Sequence, residues 1–562
     1  MKKQTFIQAS AILILSVILT KVIGAVFRIP LANMLGGTGM GYYSIAYGLF
    51  TLILAFSSIG LPAAVAKVVS ESAALGADPR RIGKISLILF GSLGAFFAAL
   101  SLPLSLLFCN ILSDSPKALP AVLMIIPSVI FCAVESVLRG YFEGLRDFTP
   151  TGISQVIEAA GKLIFGLWFC NLALSGQFFD FGIENGYDLY ANAAAAAIFG
   201  VTVSSFLGMC FLIIRYAAPR KESVSMSIHI TKSAEDLLYQ KQNLICKNSL
   251  SKNVLSDKKT IIKALLAAAI PISLGALVTN LTSLADIATA VPLLGRAIAD
   301  SGGRFDYIGL APAETSAFIF GSFTGLAVTV FNLVPSFTNM FAKSILPPLA
   351  ESFALGDTEG IKKHSENVIF TTALISIPAG IGIAAIAELI LKFLFPARLL
   401  EVSVIIPSMG VLGIALIFTC ISTSAFSILQ AAGRADIPVK IVGAGVILKV
   451  LGNFLLIPIP ELNITGAAVS TFLCYLFIVV VSLEAVFSVT KLKRKTIGAI
   501  LFRVSFCGIF CGISALLMKN AASSYELLPQ IFMSISAGGV MFLITGFLTG
   551  VLSKDVLKKM FE

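Results

Sequence analysis

Two cations, Lys21 and Arg28, interrupt an apolar run near the start of the chain, "AILILSVILTKVIGAVFRIPL". They are seven positions apart, two turns of a helix, so they share one stripe, with the small residues Gly24 and Ala25 between them. Helical rise puts Lys21 about 10 Å deeper than Arg28. A charge at such depth is costly in hydrocarbon and belongs beside a wet cavity or a partner. Arg28, next to Pro30, has a second reading as an anchor reaching the outer interface.

Other charged residues also sit in apolar surroundings. Asp286 in "TSLADIATAV", with Asn453 and Thr471 from later segments, would make an oxygen-rich site for a coupling sodium ion or proton. Its alternative is a place near the outer interface, paired with Arg296. Glu158 and Lys162 are one turn apart and read as a structural pair, and Glu388 and Lys449 are further embedded charges. In "LRGYFEGLRDFTP", Arg139, Glu143, Arg146 and Asp147 are candidates for a loop or gate role, with anchoring and helix capping as the plainer reading.

The elements that hold these residues follow from composition. Hydrophobic residues make up 57% of the 562 and charged ones only 13%, about half the share of a soluble domain. The apolar runs reach the roughly 20 residues of a membrane helix and lack barrel-type alternation. Fourteen spans are expected, near 5–29, 42–68, 84–110, 119–138, 151–174, 191–216, 263–290, 312–342, 366–394, 402–429, 438–460, 464–489, 497–518 and 527–552. The first reads as a retained span, because its apolar core is longer than that of a signal peptide. The expected organisation is a six-helix lobe over 1–216, a basic cytoplasmic linker over 217–262, a second six-helix lobe over 263–490, and two added helices with a cytoplasmic tail over 491–562.

The net charge of +11 collects in alternate loops, which places both termini in the cytoplasm and gives no basic soluble surface for nucleic acid. Nine cysteines lie scattered without a CxxC pair, and His229 and His364 fall in polar loops. No metal cluster, Walker loop or nucleophile elbow is visible, so neither an enzyme nor a cofactor is expected.

The chain also repeats itself. "ESAALG" at Glu71–Gly76 returns as "ESFALG" at Glu351–Gly356, and "GLRDFTP" returns as "AGRADIP" with Arg146 opposite Arg434 and an offset of 434 − 146 = 288. Both matches follow an even number of spans, which implies parallel repeats about an axis along the membrane normal.

Around "LRGYFEGLRDFTPTGISQVIE" the chain resembles the polysaccharide-biosynthesis and stage V sporulation protein B branch of the multidrug/oligosaccharidyl-lipid/polysaccharide exporter superfamily. "KVIGAVFRIPLANMLGGTGMGYYSIAY", "IGLPAAVAKVVSE" and "LQAAGRADIPVKIVGAGVILKVLGNFLLIPIPELNITGAAVST" extend the likeness over nearly the whole chain outside the linker. The resemblance implies an all-α membrane protein with two six-helix lobes around a central cavity. It also implies alternating access and transport of a polyprenyl-pyrophosphate-linked sugar, with a monomer expected. Related MurJ-type flippases carry lipid II, and their paired basic residues in the first helix are matched by Lys21 and Arg28, which would bind the pyrophosphate. Coupling to Na+ or H+ is implied at the Asp286 helices. The chain departs from the flippase pattern in "GMGYYSIAYGLFTLIL" and "FIFGSFTGLAVTVFNLV", which lack the charges such relatives carry there. Alternatives are a flippase for another undecaprenyl-linked repeat unit, of capsule or teichuronic acid, and a cation-coupled drug exporter.

Overall fold

In hydrocarbon a backbone must satisfy its own hydrogen bonds, and for an apolar chain without a barrel pattern the solution is helical. The computed structural model describes residues 6–58, 60–74, 78–113, 115–177, 188–218 and 258–552, and every regular element among them is a helix. Twelve of these helices are long and apolar enough to cross a membrane. Fourteen spans were expected. One of the twelve, Leu15–Ser70, covers two expected spans, and the helix at Lys258–Ala299 is not among the twelve.

The first helix, α1 (Phe6–Ser57), is two arms joined at Gly36, whose φ of 64° and ψ of −169° break the helical path. The loop expected over 30–41 is therefore a one-residue turn. Next come α2 (Leu61–Ala74), α3 (Pro79–Leu107), α4 (Leu119–Gly144) and α5 (Thr149–Gly161). A wide turn at Lys162–Gly166 continues α5 into α6 (Leu167–Leu174), and α7 (Leu189–Ala217) closes this half. Its alanine run Ala193–Ala197 is fully buried in a core shared with Val122, Ile125 and Val129 of α4. Small side chains let the two helices approach closely.

The second half has α8 (Lys258–Ala299), then α9 (Pro312–Ser322), which a wide turn at Phe323–Ala327 joins to α10 (Val328–Ser344). It continues with α11 (Leu346–Leu355), α12 (Thr358–Ala385), α13 (Ala387–Leu394), α14 (Leu399–Ala431), α15 (Asp436–Leu456) and α16 (Ile464–Thr490). The last two helices, α17 (Arg494–Ala521) and α18 (Leu527–Leu548), pack on each other, and α17 packs on α12.

Most of the expected linker lies outside the described residues, but its end does not: α8 begins at Lys258. Ile261, Leu265 and Ala269 of α8 are buried among Leu61 and Val65 of α2 and Ile82 of α3. The start of α8 therefore belongs to the core of the first half, while its later part packs on α15.

The repeated motifs build matching corners. Asp78 caps α3 by accepting the Arg80 N–H at 2.9 Å, and Asp357 caps α12 by accepting the N–H groups of Glu359 and Gly360 at 3.1 and 3.0 Å. At the second pair of motifs the left-handed residues are Arg146 (φ 59°) and Gly433 (φ 75°). The corners thus match at 433 − 146 = 287, one residue from the sequence pairing, and Asp147 is the counterpart of Arg434.

Candidate substrate and coupling sites

The arm of α1 before Gly36 carries Lys21 and Arg28 on an unbroken helix, so their shared stripe holds. Lys21 is exposed, and no neighbouring atom lies within 4 Å of where a side chain would start at Gly24. Arg28 is half-buried, and its Nε is buried without a hydrogen-bond partner.

Lys162 belongs to an ion cluster on α4, α5 and the wide turn. Its Nζ lies 2.7 Å from Glu158 Oε1, the structural pair expected from sequence. Arg139 Nη2 lies 3.0 Å from Glu158 Oε2 and 3.4 Å from Glu135 Oε2, and Arg139 Nε donates to Ser154 Oγ at 3.0 Å. Glu135 is 1% exposed, and its Oε1 has no partner. Arg139 is thus not a loop residue, because α4 runs on to Gly144 and carries it inside the bundle. Glu143 faces Thr151 across the corner, Arg146 is exposed in its left-handed turn and Asp147 is buried.

Asp286 does not pair with Arg296. Its Oδ2 lies 2.7 Å from Lys449 Nζ, and its Oδ1 accepts the Asn453 side-chain N–H at 3.1 Å. Lys449 and Asn453 are one turn apart on α15 and present one face to α8. The Asn453 amide nitrogen also donates to Thr289 Oγ1 at 2.9 Å, and the Asn453 oxygen accepts the Ser470 hydroxyl. Thr471 stays out of this group, since its hydroxyl donates to the Ala467 carbonyl of its own helix at 2.8 Å. Asp286 and Asn453 are brought together as expected, Thr471 is not, and a lysine ammonium stands on the acid.

The two halves are sealed at the Gly36 end. Arg398 donates from Nε to the Asn33 carbonyl at 3.0 Å and from Nη2 to the Met34 carbonyl at 2.7 Å, the orphan acceptors where the first arm stops. Glu401 Oε1 accepts the Gly37 N–H, where the second arm begins, at 3.1 Å. A cation thus caps a helix C-terminus and an anion an N-terminus, each the sign the helix dipole favours. A Cβ at Gly36 would stand 2.6 Å from the Arg398 guanidinium, and one at Gly41 would stand 2.4 Å from the Ala317 carbonyl of α9. Thr324 Oγ1 donates to Ser44 Oγ at 2.9 Å, and at the helix starts the part-exposed Lys117 joins Asp188 (3.0 Å) to Glu314 (2.5 Å).

Glu388 lies on α13, outside the spans, and corrects the expectation of an embedded acid. It bonds Lys392 at 2.7 Å and Lys519 of α17 at 2.9 Å, and these hydrogen bonds hold its carboxyl down at about 2.

The polysaccharide biosynthesis protein family matches residues 6–353. The chain belongs to this family. It is 24% identical to the stage V sporulation protein B of Bacillus subtilis (strain 168) over all of this chain and 98% of that protein. It is 23% identical to the lipid II flippase MurJ of the same organism, over 98% of this chain and 96% of that protein. A solved structure of lipid II flippase MurJ in an inward closed conformation matches with a TM-score of 0.62 and 14% identity, over 96% of this chain and 98% of that one. An inward-facing multidrug transporter of the same superfamily matches with a TM-score of 0.58 over 85% of this chain. The fold is that of the multidrug/oligosaccharidyl-lipid/polysaccharide exporters, and this family member is a multi-pass membrane protein.

Sequence reasoning missed the Arg398–Glu401 clasp and the pairing of Lys449 with Asp286. The spacing of Lys449 and Asn453 put them on one face and could have pointed to the second. For the first, "FPARLLEV" reads as an ordinary polar loop entering a span.

Proposed function

We propose that this family member is a flippase for a lipid-linked cell-wall precursor, and that its cargo is lipid II, moved from the inner to the outer face of the cytoplasmic membrane by alternating access. The observation that carries the reading is the stripe of Lys21 and Arg28 beside open space on α1. The Glu135, Arg139, Glu158 and Lys162 cluster carries two acids and two cations, so the stripe supplies the net positive charge of this wall. A pyrophosphate spanning both cations is held by charge-assisted hydrogen bonds, while the polyprenyl chain stays in lipid. The seal at Gly36 fits one end state of such a cycle. The MurJ relative of Bacillus subtilis is a lipid II flippase by name, and the reading needs no catalytic step.

The test is growth of a strain depleted of its lipid II flippase. The unmodified protein and Lys21→Arg restore growth, since arginine keeps the charge and adds a bidentate fork. Lys21→Ala and Arg28→Ala fail to do so at equal protein level by blotting. Normal growth with both alanine variants would remove the stripe from substrate binding. Failure of the unmodified protein would favour the second reading that the family description supports, a different undecaprenyl-linked repeat unit.

A further inference from the structure

The structure assigns Lys449 as the built-in cation of the Asp286 site, and we infer that no sodium ion binds there. Three observations converge on this. The ammonium is seated 2.7 Å from the carboxylate and the lysine side chain is 5% exposed, against 15% for Asp286. The polarity of the neighbours suits a seated ammonium and opposes an added metal. Asn453 turns its N–H groups, not its oxygen, toward Asp286 and Thr289, and its oxygen is held by Ser470. A monovalent ion needs several oxygens converging on one point, and here the acid is met by an ammonium and an amide instead.

Charge leads to the same assignment. Asp286 and Lys449 sum to zero, and Cys474 and Tyr475 beside them are neutral in their ordinary forms. An added sodium ion would leave an uncompensated positive charge in a nearly water-free site, which is costly. With the amine gone, the Asp286 carboxylate, the Thr289 and Ser470 hydroxyls and a flipped Asn453 amide would offer an oxygen-lined vacancy. The inference concerns the ion and not the cargo, so it stands or falls separately from lipid II transport.

The experiment is thermal unfolding of the purified full-length protein in detergent, comparing NaCl with equal concentrations of KCl and N-methylglucamine chloride. The unmodified protein should melt at the same temperature in all three. Lys449→Ala should gain a saturable, sodium-specific rise in midpoint, as expected when an ion binds only the folded state. Adding Asp286→Asn to that variant should abolish the rise. Should Lys449→Ala not purify, Lys449→Ser takes its place. A sodium-specific rise in the unmodified protein that Asp286→Asn removes would overturn the assignment. So would a folded Lys449→Ala that responds to no alkali cation.

Discussion

Glu158 serves two cations at once, Lys162 at 2.7 Å and Arg139 at 3.0 Å. Removing its charge leaves Lys162 without its acid and Arg139 with only the longer contact to Glu135 at 3.4 Å, in a largely buried cluster where breaking an ion pair costs about 3–5 kcal/mol. Glu158→Gln should therefore melt well below Lys162→Met, which leaves the Arg139 pair intact, when both are unfolded in the same detergent. Glu388 makes a prediction about pH. Its folded value of about 2 lies below the ordinary 4.5, so its contribution is whole above pH 4.5 and is lost as pH falls toward 2. In melts between pH 6 and 3, Glu388→Gln should start lower and lose less than the unmodified protein; parallel curves would refute the link to α17. At this scale the sequence marked the local Glu158–Lys162 pair and the depth of Asp286 and Lys449, but it misplaced Glu388, passed over the buried Glu135 and gave no long-range partner. Lys449 and Asp286 are 163 residues apart, and no local periodicity joins them.

α1 shows where reading by element succeeds and where it stops. The apolar periods marked its two arms, but "GGTGMGYY" reads as a loop because glycine is rare inside helices. The structure instead breaks the helix at the single residue Gly36, with Arg398 bonded to one arm and Glu401 to the other. If the clasp holds the halves together, Arg398→Ala should loosen the seal beneath it. The check is the rate at which a water-soluble maleimide labels Ser44→Cys, in a background without other cysteines, in purified protein. Ser44 is buried under Thr324, so labelling should be slow, and faster by an order of magnitude with Arg398→Ala. An unchanged rate would reduce the clasp to a local cap.

The duplication is the feature of the whole molecule that the sequence made most legible, through two pairs of short motifs that fold into matched corners. The one-residue slip at Arg146 and Gly433 was not legible, since arginine aligns with arginine more readily than with the glycine that shares its φ. The relation between the halves was also hidden, because the start of α8 crosses into the core of the first half. If transport requires the halves to part at Gly36, a bond across the seal should stop it. Ser44 and Thr324 meet at 2.9 Å, so Ser44→Cys with Thr324→Cys should support growth of the flippase-depleted strain under reductant and fail under mild oxidant. Each single variant should be indifferent to oxidant, and growth of the oxidised double variant would show that this end stays shut throughout the cycle.

The seating of Lys449 on Asp286 also has an electrical consequence. A tethered ammonium cannot be released on the far side of the membrane, so no ion need travel with or against the cargo through this site. On the proposed flippase reading, the mobile charge would then be the pyrophosphate of the cargo. Work done on a charge by the membrane field is about 2.3 kcal/mol per elementary charge for every 100 mV. In a cell whose interior is negative that work favours the outward passage of an anion. If the proposed cargo is moved and no ion binds beside Asp286, the voltage across the bilayer, rather than a sodium gradient acting at this site, would set how far export can run.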